Sequence, residues 1–151
     1  MEFRLAKEAD LPLIEKIEKE RFSSDRWTLQ QWKYEICENK FSFVYVCLED
    51  NVLIGYIDYW ILFDQATINK ICVDKKYENH GFGKRLMQEA LQRIDKALCL
   101  STTLEVRVSN EPAIRLYEKC LFKKVLCKEQ YYSDGEDCYF MIRSIGDVYE
   151  R

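Results

Sequence analysis

The sequence predicts an α+β domain built around one mixed sheet. Apolar runs with the residue types of β-strands are interspersed with helical apolar stripes, and in the second half two strands lead directly into helices. The predicted order of elements is β α α β β β α β α β β. A chain of 151 residues has the size of one domain, so we expect residues 1–151 to form a single domain.

Capping signals define the helices of the first half. Asp10 followed by Leu11-Pro12 is typical of a helix start, because Asp caps free N–H groups and Pro fits the first turn. Thr28-Leu29-Gln30-Gln31 has the spacing of a capping box that opens a second helix ending near Cys37. Strands are predicted over residues 2–5, 41–48 and 52–62, the last two paired as a hairpin.

The strand over 52–62 is apolar on both faces, which is typical of a central strand. Its one charged residue, Asp58, could face an acceptor site, but a paired carboxylate or one exposed at the rim of the sheet is expected instead. The remaining predicted elements are a strand over 66–73, a helix over about 83–97, a strand over 102–108, a helix over 111–120, and a closing hairpin of 125–132 with 139–145.

Composition and charge exclude several classes of protein. Lys and Arg number 23 against 26 Asp and Glu, and no long basic run occurs, so we expect no direct nucleic-acid binding. No apolar run approaches the roughly 18 residues of a membrane span, and we expect a cytoplasmic protein without membrane contact. The 7 cysteines have no C-x-x-C spacing and His80 is the only histidine, so no metal site is expected.

The segment Glu78–Arg85 has features of a phosphate-binding loop. Its two glycines allow close backbone approach, the N–H groups of the following helical turn point at a bound anion, and two basic residues end the segment. It matches neither a Rossmann fingerprint nor a P-loop, because Leu86 and Arg85 stand where those motifs need Gly and Ser or Thr. A tight strand-to-helix turn is the alternative, and His80 is either a base or an exposed, anion-binding residue.

The segment Leu104–Glu118 carries three polar groups that could face one pocket. Glu105 points away from the apolar residues of its strand, and it either accepts a proton or pairs with a cation such as Arg107. Asn110 caps the next helix, and Tyr117 lies two turns further along the same helix face. A carboxylate that accepts a proton from an amine and a phenol that donates one to a thiolate are what acyl transfer from a thioester to an amine needs.

These segments resemble those of a known family. Gly81-Phe82-Gly83 after a strand, Leu104–Asn110 and Ala113–Glu118 are similar to the GNAT superfamily of acetyl-CoA-dependent N-acetyltransferases. More narrowly, with Arg26-Trp27 and Tyr131–Asp137 included, the chain resembles the RimI type, which acetylates a ribosomal-protein alanine. The resemblance covers about residues 2–144. It implies a three-layer GNAT-like fold with a mostly antiparallel, splayed central sheet flanked by helices.

The resemblance also implies roles for the matching positions. Glu105 would be the general base and Tyr117 the general acid of direct transfer in a ternary complex, so no cysteine is expected to be acylated. Acetyl-CoA would be the acetyl donor, without a metal. The pantetheine arm would pair with the backbone of Ile71, Cys72 and Val73 and would contact Asn110. The pyrophosphate would be surrounded by Asn79, His80, Gly81, Phe82, Gly83 and Lys84. Trp27, Tyr131 and Tyr132 would lie at the acceptor site.

Two positions depart from the family pattern. Glu78 puts a negative charge near the implied pyrophosphate, so weakened rather than abolished cofactor binding is expected. Leu121 stands where a glycine usually follows the helix of Tyr117, and because a left-handed non-glycine residue costs about 1 kcal/mol, a different turn is expected.

Our first hypothesis is an N-terminal acetyltransferase acting on the alanine of small-subunit ribosomal protein eighteen. An α-amine has a pKa of about 8 against about 10.4 for lysine, which mildly favours an N-terminal acceptor. The alternatives are a GNAT enzyme that acetylates a small amine, such as a polyamine or an amino sugar, and a CoA-binding module without catalysis. The acceptor sequence and the oligomeric state are left open by the sequence.

Overall fold

A computed structural model describes residues 1–149 of the chain. The strands are β1 Glu2–Leu5, β2 Ser42–Glu49, β3 Val52–Leu62, β4 Gln65–Val73, β5 Ser101–Arg107, β6 Lys123–Lys128 and β7 Cys138–Ser144, and the helices are α1 Leu11–Arg21, α2 Leu29–Cys37, α3 Phe82–Lys96, α4 Glu111–Lys119 and α5 Ile145–Tyr149. The predicted element order is confirmed. The short helix α5 and 3-10 turns over Glu8–Asp10 and Lys75–Tyr77 are additions to it.

The strands form one 7-stranded sheet in the order β1-β2-β3-β4-β5-β7-β6. Neighbouring strands are antiparallel except for β4 and β5, which run parallel with α3 as the crossover. The parallel pairing begins at Gln65–Ser101 and ends at Ile68–Leu104, although both strands continue beyond that point. The carboxyl ends of β4 and β5 therefore diverge, which confirms the splayed, mostly antiparallel sheet.

Helices cover both faces of the sheet. On one face α1 and α2 pack on β2, β3 and β4, and the buried residues there are Leu11, Ile14, Ile17, Trp32, Val44, Val46, Leu48, Leu53, Tyr56 and Cys72. On the other face α3 and α4 pack on the centre of the sheet through residues that include Leu86, Met87, Ala90, Leu91, Ile94, Ile114 and Tyr117. The two clusters give the three-layer arrangement.

Local sequence explains several connections. Asp50 and Asn51, with φ of 50° and 65°, form the tight turn between β2 and β3, where a left-handed pair matches the strand twist. The capping box is confirmed, because Gln31 N–H donates to Thr28 Oγ1 at 3.1 Å and Thr28 N–H donates to Gln31 Oε1 at 2.7 Å. Gly55 is needed because a Cβ there would lie 2.7 Å from the carbonyl oxygen of Cys72 on β4.

Two local expectations are wrong. Asp58 is not at the rim of the sheet: its exposure is 0%, and its Oδ1 accepts a hydrogen bond from Asn69 Nδ2. Strand β6 ends at Lys128 rather than at Tyr132. Gln130 takes a left-handed φ of 48°, which breaks the strand and turns the following residues into a loop.

Candidate active site

A cavity of about 550 Å³ lies where β4 and β5 diverge. One wall is the loop between α1 and α2, residues 22–28, which we call the first loop. The opposite wall is the loop between β6 and β7, residues 129–137, which we call the second loop. The predicted site residues that line this cavity are Trp27, Ile71, Glu105, Asn110, Tyr117, Tyr131 and Tyr132.

Glu105 lies at the edge of this cavity, where Lys128 and Tyr131 hold its carboxylate. Lys128 Nζ lies 2.6 Å from its Oε2, and the Tyr131 hydroxyl donates to its Oε1 at 2.9 Å. The side chain of Glu105 is 31% exposed, so an acceptor can approach it from solvent. The sequence left the cation partner open between Arg107 and another residue, and in the structure that partner is Lys128. The hydrogen bond with Glu105 raises the pKa of Lys128, which therefore stays charged at neutral pH.

Tyr117 reaches the cavity from α4. Its ring is buried and packs edge-on against Phe122 with the centroids 6.1 Å apart. Burial raises the pKa of the phenol, so Tyr117 keeps its proton at neutral pH. Asn110 caps the same helix, since its side-chain oxygen accepts from the Ala113 N–H at 3.4 Å. Helix α4 thus fixes both side chains relative to the divergent strands.

The edge of β4 offers backbone groups to the cavity. Ile71, Cys72 and Val73 pair with β3 on one side, while the paired stretch of β5 ends at Leu104, before it reaches them. An extended chain with amide groups, such as a pantetheine arm, fits this edge as an additional strand would. Burial raises the pKa of the Cys72 thiol to about 11, so Cys72 is protonated and inert beside this edge.

The predicted phosphate loop lies at the start of α3. Asn79 and Gly81 have left-handed φ of 63° and 84°, and α3 begins at Phe82. No side chain among the described residues caps this turn, so the first N–H groups of α3, which have no intrahelical partners, are left for an anion such as a pyrophosphate. Lys84 is exposed in the first turn, and a Cβ on Gly83 would make ordinary van der Waals contacts with Leu116 at 3.7 Å and Val73 at 3.9 Å.

His80 is also exposed on this loop. Its Nδ1 lies 2.8 Å from the Glu78 carbonyl oxygen, and its ring stacks on Phe82. The Glu78 carboxylate forms an ion pair with Arg21 at the end of α1. Arg21 thus offsets the charge that was expected to oppose a phosphate.

Sequence reasoning missed a buried cation in the wall of the cavity. Lys70 on β4 is 9% exposed, and its Nζ lies 3.4 Å from Glu18 Oε2 and 3.8 Å from the centre of the Phe22 ring. Glu18 is fully buried and also accepts from the Tyr56 hydroxyl at 2.7 Å and from the Trp27 N–H at 2.8 Å. Burial lowers the pKa of Lys70, and the Glu18 carboxylate opposes that shift. The available signal was a lone lysine among apolar residues of a strand.

Arg107, which the sequence suggested only as a possible partner of Glu105, joins both loops. Its guanidinium contacts Asp25 of the first loop and Asp134 and Glu136 of the second. Within residues 1–149 no group of 3 or more His, Cys, Asp or Glu side chains is arranged to hold a metal ion. None of the helices in that range is long and apolar enough to cross a membrane.

At this site β4 and β5 diverge beside the Glu105 carboxylate and the buried Tyr117 phenol, an arrangement that suits an acyl-CoA-dependent N-acyltransferase. Residues 10–122 match the model of the acetyltransferase (GNAT) family. The chain belongs to the GNAT family, and it is an N-acetyltransferase of that type.

Named relatives agree with this assignment. A protein of Bacillus subtilis (strain 168), provisionally named as a ribosomal protein bS18-alanine N-acetyltransferase, is 32% identical over 139 residues, which are 91% of each chain. The crystal structure of the ribosomal-protein-S18-alanine N-acetyltransferase from Escherichia coli superposes with a TM-score of 0.87 at 26% identity, covering 95% of this chain and 93% of that one.

A spermidine N-acetyltransferase chimera built from Vibrio cholerae SpeG has a TM-score of 0.86 at 19% identity, over 99% of this chain and 98% of that one. That likeness shows the shared fold only.

Proposed function

We propose that the protein transfers the acetyl group of acetyl-CoA to the α-amine of an N-terminal alanine, with ribosomal protein bS18 as the acceptor and the cytoplasm as its location. The similarity to the named relatives from B. subtilis and E. coli supports the acceptor. The observation that carries the proposal is that Glu105 and Tyr117 line one cavity at the divergence of β4 and β5.

Each side chain has a separate task in this proposal. Acetyl-CoA, when bound, supplies the acetyl thioester. Glu105 accepts a proton from the acceptor ammonium, directly or through a water molecule, so that the neutral amine can attack. Tyr117, kept protonated by burial, donates its proton to the sulfur as the C–S bond breaks, and the second proton, which the nitrogen loses when the amide forms, restores the phenol. Asn110 and the edge of β4 hold the donor, and the first and second loops hold the acceptor.

An assay with varied acceptors tests the proposal. Short peptides that differ only in the first residue are offered with acetyl-CoA, next to spermidine and free lysine. We expect a peptide that begins with alanine and has the bS18 sequence to give the highest kcat/KM. Higher kcat/KM for spermidine would instead assign the enzyme to small amines, and no transfer to any acceptor would favour a CoA-binding module.

Substitution of the two proposed catalytic residues tests their roles. We expect Glu105→Gln and Tyr117→Phe each to lower kcat by about 100-fold or more, the usual contribution of a positioned acid or base. The dissociation constant for acetyl-CoA should stay close to that of the wild type. Glu38→Gln and Tyr34→Phe, two exposed positions outside both loops, are the matched controls. Full turnover in both site variants would refute the assignment.

A further inference from the structure

The two loops that wall the cavity are joined by one side chain. Arg107 Nη1 lies 2.9 Å from Asp134 Oδ2 and 2.9 Å from Glu136 Oε1, both in the second loop. Its Nε lies 3.5 Å from Asp25 Oδ2 in the first loop. The guanidinium also lies over the Tyr132 ring at 4.0 Å. Arg107 thus spans the cavity mouth from its base on β5.

The first loop is also attached to the other divergent strand. Lys70 Nζ on β4 donates to the Asp25 carbonyl oxygen at 3.0 Å. Asp25 is therefore fixed by its backbone to β4 and by its carboxylate to β5, beyond the point where those strands stop pairing. Asp25 therefore links β4 and β5 across the opening in which the proposed acetyl donor and acceptor must meet.

The chemistry of arginine suits this arrangement. Its planar fork of donors can serve several carboxylates at once, whereas a lysine ammonium is a point charge. The Arg107 side chain is 19% exposed, so its contacts are screened less than those of a free surface pair. An isolated exposed ion pair contributes about 0–1 kcal/mol, and networks contribute more. Removal of the Arg107 ion pairs should therefore make the first and second loops more mobile without unfolding the sheet.

We propose that Arg107 is a positioning residue that clasps the first and second loops, so that the acceptor enters a groove whose width is already set. The identity of that acceptor rests on the proposed function. A groove fixed in advance binds more tightly because less conformational entropy is lost on binding. The clasp should therefore govern acceptor affinity, while Glu105 and Tyr117 govern the chemical step.

The first test needs no substrate. Arg26 is an exposed tryptic site within the first loop, so the rate of cleavage after Arg26 reports the opening of that loop. We expect Arg107→Met to raise this rate about 10-fold, the equivalent of losing about 1.4 kcal/mol, and Arg107→Lys to give an intermediate rate. Arg115→Met removes an exposed ion pair on α4 and should leave the rate unchanged. Unaltered hydrogen exchange in β2 and β3 excludes global unfolding as the cause.

The second test is kinetic. For Arg107→Met we expect the KM for the acceptor to rise about 10-fold, the same free-energy change, while kcat and the KM for acetyl-CoA stay within about 2-fold. A fall in kcat at unchanged acceptor KM would overturn the proposal, as would an unchanged cleavage rate after Arg26.

The Asp25→Asn variant and an inactive wild type would each separate the clasp from the proposed function. Asp25→Asn, which weakens only the contact to the first loop, should speed cleavage after Arg26 and leave hydrogen exchange of the second loop unchanged. If the wild type acetylates no peptide, the proposed function fails, whereas the cleavage experiment still decides whether the clasp exists.

Discussion

Two carboxyl groups meet in the layer between β3 and α2. Asp58 Oδ1 accepts from Asn69 Nδ2 at 3.4 Å, whereas its Oδ2 is buried with no donor among residues 1–149, so a protonated Asp58 can share its hydrogen with Glu35. Glu35 accepts from Trp60 Nε1 at 2.6 Å and from Asn39 Nδ2 at 2.7 Å. Burial and the hydrogen bond with Glu35 raise the pKa of Asp58 to about 9, so at neutral pH Asp58 is protonated and donates to Glu35.

This raised pKa makes stability depend on pH. Asp58 has a pKa of about 3.9 when unfolded, so between about pH 4 and pH 9 the unfolded chain has lost a proton that the folded chain keeps. The free energy of unfolding therefore falls as pH rises through this range, by at most about 1.4 kcal/mol per unit from this group. Asp58→Asn removes the titration and keeps a donor for Glu35.

We expect urea unfolding to show Asp58→Asn as more stable than the wild type at pH 8, with a gain that shrinks towards pH 5. Asp64→Asn, at an exposed carboxylate next to β3, should show no such trend. A difference between Asp58→Asn and wild type that is the same at all pH values would contradict the buried, protonated state of Asp58.

At the scale of the elements, α3 and α4 are each followed, two residues after their last residue, by a leucine with a left-handed backbone conformation. Leu98 has a φ of 64° and Leu121 a φ of 73°. After α4, the Leu121 N–H donates to the Glu118 carbonyl at 3.0 Å and the Phe122 N–H to the Tyr117 carbonyl at 3.0 Å, a Schellman motif. The turn expected to differ at Leu121 is therefore retained, with a leucine in strained backbone.

Leu98 permits a direct measurement of this strain. Its side chain is 79% exposed, so little packing is lost when it is removed. A left-handed non-glycine residue costs about 1–2 kcal/mol, and the greater freedom of unfolded glycine offsets about 0.4–1 kcal/mol of the relief. We expect Leu98→Gly to raise the free energy of unfolding by about 0.5–1 kcal/mol. Leu98→Ala keeps the strain, and an equal gain for alanine would refute the explanation.

Signals carried by neighbouring residues predicted most elements. The capping box at Thr28 and the turn before Val52 depend on residues a few positions apart, and both were predicted. The Arg107–Asp25 contact joins residues 82 apart, and the Lys70–Asp25 contact joins residues 45 apart. Contacts over such separations depend on how the sheet brings distant loops together, which periodicity does not encode.

The residues of the candidate site also separate into those that a local motif predicted and those that depend on long-range pairing. Glu105, Asn110 and Tyr117 lie within one strand-turn-helix segment, so one motif predicted their common location. Lys70 faces α1 because the β3–β4 register shifts between Asp58 and Tyr59, and a shift of one residue exchanges the faces of a strand. No pattern along the chain indicated that shift.

In the whole molecule, the sheet consists of two parts joined at one parallel pair. β1, β2, β3 and β4 form one part, and β5, β7 and β6 form the other. Between them β4 and β5 pair only from Gln65–Ser101 to Ile68–Leu104. A ligand that fills the divergence would contact both parts, so its binding should stabilise the whole fold and not one loop.

Coenzyme A should accordingly raise the melting temperature. At 100 times its dissociation constant a ligand adds about 2.7 kcal/mol, which for a domain of this size corresponds to roughly 5–10 °C. Amides of Ile71, Cys72 and Val73 should become more protected from hydrogen exchange.

Lys84→Glu places a carboxylate in the first turn of α3, where it repels phosphate, and should reduce the temperature shift at the same coenzyme A concentration. Lys40→Glu makes the same charge change far along the chain, at an exposed position before β2, and should retain the full shift. Equal shifts in Lys84→Glu and Lys40→Glu would place the pyrophosphate elsewhere than at the start of α3.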